Sequence, residues 1–125
     1  NNQPKIIHHT FLTDEVFTRV LLKFTKDSQN IIYNFGNFIG IYNIPKNKTT
    51  TIPAKEKLIS IEESDSIVYA LGKNKNNYTI YMIENTNTLI GNFSFTADNA
   101  FIKAKKDFLY IGKDNSISQI FVTKK

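Results

Sequence analysis

The chain carries one short sequence pattern three times, and this repeat limits the folds that are open to it. The pattern is two apolar residues, a tyrosine, a short extension and a glycine, and it occurs at 31–36, 67–72 and 108–112. A second apolar segment follows each copy. Tyr42, Tyr81 and Phe121 in these segments are spaced 39 and 40 positions apart. A fixed period of about 40 residues indicates a repeat architecture.

Each repeat unit is predicted to be four short antiparallel β-strands. Isoleucine, valine, tyrosine, phenylalanine and threonine alternate with polar residues in these segments, and Asn, Lys, Asp and Gly lie between them. That alternation is typical of strands joined by tight turns. The first strands are predicted at 20–24, 58–61 and 101–104, and fourth strands at 50–52 and 89–90. The chain is therefore expected to be all-β.

The repeat also predicts the organisation of the domain. Residues 1–125 are expected to form one domain, with a flexible leader at 1–4 and repeats near 16–53, 54–96 and 97–125. The third repeat reaches the last residue before its fourth strand, so an N-terminal strand at 5–11 is predicted to complete it. Residues 13–26 also carry helical spacing, but the repeat favours a strand through Val20, Leu22 and Phe24.

The pattern at 64–72, followed by a polar turn and 78–83, resembles the blades of PQQ-like and WD-like β-propellers, as does 107–115. The resemblance covers residues 16–125 and implies three propeller-like blades. It also implies a non-enzymatic scaffold that binds proteins. No Trp-Asp pair ends a strand, glycine is scarce, and three units fall short of the four to eight blades of typical propellers.

The number of units leaves alternatives open. Three four-stranded repeats also fit a β-trefoil or a β-prism, which close as monomers, and an up-and-down barrel or sandwich is a further possibility. If the units are blades, three blades are fewer than a typical propeller has. The chain is then predicted to form a homodimer of two three-blade halves or to be a piece of a longer propeller. On a three-fold scaffold, the alternative function is a lectin-like domain that binds carbohydrate.

The residues that support catalysis are scarce. The chain has no Cys and two His, His8 and His9, which are adjacent in the predicted N-terminal strand and therefore point to opposite faces. No nucleophile motif or phosphate-binding glycine loop occurs. Glu62, Glu63 and Asp65 are predicted to share one turn, but the spacing of a calcium loop is absent. We therefore predict no enzymatic activity, no metal and no cofactor.

Charge and chain composition limit the partners. The net charge is +5 and is carried almost entirely by lysine, with Arg19 the one arginine. Proteins that recognise nucleic-acid bases usually contact them with arginine. We therefore expect the lysines to form a solubilising surface, and we expect no nucleic-acid partner. No apolar run approaches the ~18 residues of a transmembrane segment. The absence of an initiator Met and of Cys favours an exported or cell-envelope protein.

The predicted binding site lies on the two open sheet edges. Edge strands associate with other strands unless they are covered. The residues proposed for this contact are Ile6, His8 and Phe11 in the N-terminal strand, and Ile120, Phe121 and Val122 in the last strand. The partner is expected to be another protein or a second copy of the chain, and a glycan is the alternative. The recurring Tyr33, Tyr69 and Tyr110 are assigned to the core.

Overall fold

The computed structural model describes residues 21–35, 37–84 and 88–121, and these form antiparallel β-sheets with no helix. Sheet 1 contains β1 to β4, sheet 2 contains β5 to β8, and sheet 3 contains β9 to β11, each in chain order. The all-β prediction is confirmed. The strands are β1 (Leu22–Phe24), β2 (Asn30–Phe35), β3 (Phe38–Asn43), β4 (Lys48–Pro53), β5 (Lys57–Ser64), β6 (Ile67–Asn74), β7 (Asn77–Glu84), β8 (Thr88–Thr96), β9 (Ala100–Lys105), β10 (Phe108–Lys113) and β11 (Ser116–Phe121).

Tight turns join the strands within each sheet. Ser64 pairs with Ile67 across the β5–β6 turn, and the intervening Asp65 and Ser66 both have positive φ, 51° and 67°. Two successive positive φ angles match the twist of a two-residue hairpin. The acidic segment is therefore placed differently from the prediction. Glu62 and Glu63 lie in β5 and, as strand neighbours, point to opposite faces, so the three carboxylates do not share one turn.

The first core lies between sheets 1 and 2. Ile32, Ile39 and Ile41 of sheet 1 pack into one buried cluster with Val68 and Ile83 of sheet 2. Each of these side chains is at most 2% exposed. Full burial of such a side chain contributes roughly 1.5–3 kcal/mol, so this layer supplies a large part of the folding free energy.

The second core lies between sheets 2 and 3. Tyr69, Leu71 and Ile80 of sheet 2 pack with Ile102 and Leu109 of sheet 3. Because neighbouring strand residues point to opposite faces, β6 serves both cores, and residues 67–71 are all at most 2% exposed. This strand is therefore buried on both sides. The three sheets thus stack in chain order, with sheet 2 in the middle.

The three recurring tyrosines do not occupy equivalent positions. Tyr69 faces sheet 3, whereas Tyr33 belongs to a separate cluster on the face of sheet 1 that points away from sheet 2. Tyr110 pairs with Lys103 on the face of sheet 3 that points away from sheet 2. The sequence repeat and the structural repeat are one residue out of step in sheet 1. A one-residue step moves a side chain to the opposite face of a strand.

Polar contacts fix each sheet relative to the next. Glu56, in the connection between sheets 1 and 2, accepts hydrogen bonds from the Tyr81 hydroxyl and from Thr79 Oγ1 at 3.1 Å. Ser64 Oγ donates to the Lys106 carbonyl at 2.7 Å, which joins sheet 2 to sheet 3. Burial of the ring and the adjacent Glu56 carboxylate raise the pKa of Tyr81.

Replacement of Tyr81 by phenylalanine tests the Glu56 anchor. We expect Tyr81→Phe to lower the free energy of unfolding at pH 7 by about 1 kcal/mol, the usual contribution of a hydrogen bond. Because the folded-state pKa lies above the unfolded value of about 10, the native tyrosine stabilises fully below pH 10 and loses this contribution as the pH rises further. Urea titrations between pH 7 and pH 11 should show a shallower alkaline loss in the variant. Equal slopes would contradict the anchor.

Candidate interaction surface

Both outer faces of the stack carry exposed apolar side chains. On the outer face of sheet 1, Tyr33 and Tyr42 are buried, whereas Leu22, Phe24 and Phe38 are 54%, 56% and 38% exposed. The outer face of sheet 3 carries exposed apolar side chains on its first and last strands. We call the five apolar residues of this face the terminal apolar face. They are Phe101, Phe108, Tyr110, Ile117 and Phe121.

Strand alternation builds the terminal apolar face. In each strand of sheet 3, every second residue points away from sheet 2, and the cross-strand partners lie on the same face. Gly112 pairs with both Phe101 and Ile117, and a Cβ at Gly112 would lie 2.1 Å from the Phe101 ring. The Phe101 ring therefore lies over this glycine, and a larger residue at position 112 would displace the ring.

Ring contacts hold the other side of the face in place. Phe108 and Phe121 meet edge to face with 5.6 Å between ring centroids. Gln119 Nε2 donates a hydrogen bond of 3.0 Å to the Tyr110 hydroxyl. These contacts hold Phe108, Phe121 and Tyr110 in place, while Phe101, Ile117 and Phe121 are 57%, 72% and 61% exposed. An ordered surface binds a partner at a lower entropic cost than a mobile one.

The predicted site residues fall in different places. Phe121 lies on the terminal apolar face, while Ile120 points the other way and packs against the core that sheet 3 shares with sheet 2. Ile6, His8, Phe11 and Val122 lie outside the described residues, as does His9.

The sequence prediction missed Phe101 and Ile117. The signal was present, because Phe101 shares one face of β9 with Lys103 and Lys105. Ile117 likewise shares one face of β11 with Gln119, and charged or polar neighbours indicate a face in contact with solvent.

Charges alternate along the first strands of the three sheets. Glu62 of β5 lies 3.7 Å from Lys23 Nζ of β1 and 4.0 Å from Lys103 Nζ of β9. Lys23 Nζ also donates a 3.0 Å hydrogen bond to the Ile61 carbonyl. Glu63 takes a different partner and accepts a 2.8 Å hydrogen bond from the Lys26 amide. The two glutamates thus connect neighbouring sheets.

Within 21–35, 37–84 and 88–121, no three His, Cys, Asp or Glu residues are grouped as metal ligands would be. In the same ranges, no helix has the length and apolarity needed to cross a bilayer.

Comparison with known proteins decides the family. A family model described as "beta-propeller protein" matches residues 1–124. The chain belongs to the β-propeller family. The propeller resemblance is therefore confirmed, and the stacked sheets are its blades. The β-trefoil, β-prism and barrel alternatives are wrong for this chain.

A solved structure, the AfRom2 CNH domain, is similar in fold. The TM-score is 0.62 at 12% sequence identity, and the match covers 84% of this chain and 38% of that domain. This propeller chain therefore spans well under half the length of the structure it matches. No curated protein sequence matches the chain.

The alternating charges predict a salt-dependent contribution to stability. Glu62→Gln removes the carboxylate between two lysines, so we expect the free energy of unfolding to fall by up to about 1 kcal/mol at low salt. The difference between variant and parent should shrink in 1 M NaCl, because salt screens partly exposed charges. Urea titrations at both salt concentrations measure it. A difference that is equal at both concentrations would show that Glu62 acts through packing rather than charge.

Proposed function

We propose that the chain is a non-enzymatic protein-binding scaffold that assembles with itself or with a partner chain through sheet 3. The observation that supports this is the exposure of the terminal apolar face, where Ile117 is 72% exposed and Phe121 is 61% exposed. Isolated exposed apolar residues are ordinary on a soluble protein. Aromatic and aliphatic side chains grouped on one ordered face are typical of an interaction site.

The packing inside the chain indicates what covers this face. In sheet 2, the face that carries Tyr69, Leu71 and Ile80 is covered by sheet 3. In sheet 3, the face that points the same way along the stack carries the terminal apolar residues. A further β-sheet packed there would repeat the existing contact and bury Phe101, Ile117 and Phe121. Each buried side chain would contribute roughly 1.5–3 kcal/mol before the cost of association.

The source of the further sheet is either a second copy or a different protein. Two copies would supply six blades, which lies within the four to eight of typical propellers. The edge strands remain part of this proposal, with Ile6, His8 and Phe11 at one end and Ile120, Phe121 and Val122 at the other. Phe121 belongs to both the edge and the terminal apolar face.

The glycan alternative receives less support from the geometry. It depends on recurring aromatic side chains at the surface, but Tyr33 and Tyr69 are each 1% exposed. Their rings are therefore not accessible for stacking on a sugar. Among the described tyrosines of the repeated motif, Tyr110 alone is half-exposed.

Light scattering on the purified chain tests the assembly. We expect a mass that rises with concentration toward twice 14.4 kDa. Ile117→Asp places a charge on the terminal apolar face and should shift the dissociation constant upward by at least about tenfold, equivalent to 1.4 kcal/mol. The control, Asn92→Asp, adds the same charge to β8, on the face of sheet 2 that points toward sheet 1, and should associate like the parent.

One outcome would narrow the proposal to a partner chain, and another would contradict it. A parent that stays monomeric at every concentration would exclude the second copy and leave a partner chain as the occupant. In that case, a partner identified by cross-linking should bind the parent and Asn92→Asp but not Ile117→Asp. If Ile117→Asp binds as well as the control, the terminal apolar face is not the interface.

A further inference from the structure

Two lysines lie directly opposite each other at one end of sheet 2. Lys57 begins β5, and its cross-strand partner in the antiparallel register is Lys73 of β6. Like charges in directly opposite positions of a strand pair are destabilising. Lysine on an edge strand such as β5 protects the edge against aggregation, but β6 is an inner strand, so this reason does not extend to Lys73. The stability of the sheet therefore does not account for the pair.

A stacked pair of aromatic rings continues the same row across sheet 2. Lys73 pairs with Tyr78 of β7, and Tyr78 pairs with Phe95 of β8. The two rings are nearly parallel, with 5.4 Å between their centroids. Lys73 Nζ lies 5.5 Å from the Tyr78 centroid, and Lys113 Nζ of sheet 3 lies 5.5 Å from the Phe95 centroid. We call Lys57, Lys73 and Lys113, together with these two rings, the lysine–aromatic row.

The positive charges of the row have no carboxylate partner in the part of the chain that the structure describes. Within 21–35, 37–84 and 88–121, no carboxylate oxygen lies within 4.0 Å of Nζ of Lys57, Lys73 or Lys113. Glu56, next to Lys57, binds side chains on the opposite face of sheet 2. The Asp114 carboxylate accepts 3.0 Å hydrogen bonds from two backbone amides of the β8–β9 connection. An anionic ligand would therefore relieve the repulsion within the row.

Hydrogen bonds between loops fix the surroundings of the row. The Ala97 amide donates to the Asn76 carbonyl at 3.0 Å, which joins the β8–β9 connection to the β6–β7 turn. The Asp114 amide donates to the Asn99 carbonyl at 3.0 Å, which joins the same connection to the β10–β11 turn. Because the strands that carry the lysines are tied together in this way, a ligand meets charges that are already in position.

The depth and the spacing of the charges indicate the class of ligand. Lys73 and Lys113 are half-buried, whereas Lys57 is exposed. A narrow chain reaches recessed ammonium groups, whereas the flat surface of a bilayer contacts side chains that project from the protein. The distances of 5.5, 5.4 and 5.5 Å that link Lys73 Nζ, the two ring centroids and Lys113 Nζ allow an extended segment of about five residues to span both ammonium groups.

We propose that the lysine–aromatic row binds an extended acidic segment of a partner protein. Carboxylates of this segment contact Lys57 and Lys73 together at one end of the row and Lys113 at the other. Lysine is a compact point charge on a flexible stem, so it pairs with carboxylates without requiring one fixed geometry. The net charge of +5 attracts such a segment from a distance and raises its rate of association.

The row is separate from the terminal apolar face. Lys113 reaches a ring of sheet 2, whereas Ile117 lies on the face of sheet 3 that points away from sheet 2. The row consists of side chains of sheets 2 and 3 that already pack against each other within one chain. The inference therefore does not depend on whether the chain assembles with itself.

Fluorescence anisotropy with the full chain at low ionic strength tests the proposal. The probe is a blocked, labelled pentapeptide in which glutamate alternates with serine. Control peptides carry glutamine or lysine in place of glutamate. We expect the glutamate peptide to bind about tenfold tighter than the glutamine peptide, and the lysine peptide not to bind. Equal affinity for the glutamate and glutamine peptides would overturn the proposal.

A matched pair of variants separates the row from the overall charge. Lys73→Gln and Lys46→Gln each remove one positive charge, but Lys46 lies in the β3–β4 turn at the other end of the strands. Lys73→Gln should weaken binding of the glutamate peptide about threefold, which corresponds to one partly exposed ion pair. Lys46→Gln should bind like the parent. Equal weakening in both variants would show that the peptide follows the net charge, and the row would not be its site.

Charge reversal distinguishes loss of the site from loss of folding. The double variant Lys57→Glu and Lys73→Glu should bind the lysine peptide tighter than the glutamate peptide, a reversal that an unfolded chain would not produce. An unchanged preference for the glutamate peptide would place the site elsewhere and overturn the proposal.

Vesicles of phosphatidylcholine and phosphatidylserine test the other class of anionic partner. We expect the parent to bind the glutamate peptide and not to sediment with the vesicles. Sedimentation that Lys73→Gln weakens, without binding of the glutamate peptide, would make the row a membrane-binding site, and the proposal of an acidic segment would be wrong.

Discussion

Face-to-face packing of apolar β-sheets is the constraint on which the rest of this structure depends. β6 carries apolar side chains on both faces, and residues 67–71 are at most 2% exposed because sheets 1 and 3 cover them. A sheet with two apolar faces is stable only between two neighbours. The stacking of the blades follows from this strand, and the polar contacts of Glu56 and Ser64 then set how each sheet lies on the next.

The same constraint accounts for the apolar surface proposed to bind. Among the described sheets, sheet 3 has one neighbour, and its outer face keeps the composition of a buried face. This face carries Phe101, Ile117 and Phe121. The surface continues packing that already exists in the chain. A partner that repeats this packing therefore needs no rearrangement of the scaffold.

Much of the fold could be predicted from alternation and spacing. These are local properties, so the strands, the sheet composition and the propeller resemblance all followed from the printed residues. The placement of Glu62 and Glu63 in β5 was missed because the five consecutive polar residues 62–66 are typical of a turn. The equivalence of Tyr33 with Tyr69 was also wrong. A pattern shows which residues alternate, but the contacts with a neighbouring sheet decide which set faces inward.

The sequence by itself determined that this protein is built from repeated antiparallel strands with few catalytic residues, since side-chain alternation and composition are independent of distant contacts. Only the tertiary structure decided which surfaces remain open. Phe101 and Ile102 are adjacent and both apolar, yet one is 57% exposed and the other 2%. Their difference arises because sheet 2 covers the Ile102 face of sheet 3 and not the Phe101 face. The sequence of β9 does not specify which of its two faces a neighbouring sheet covers.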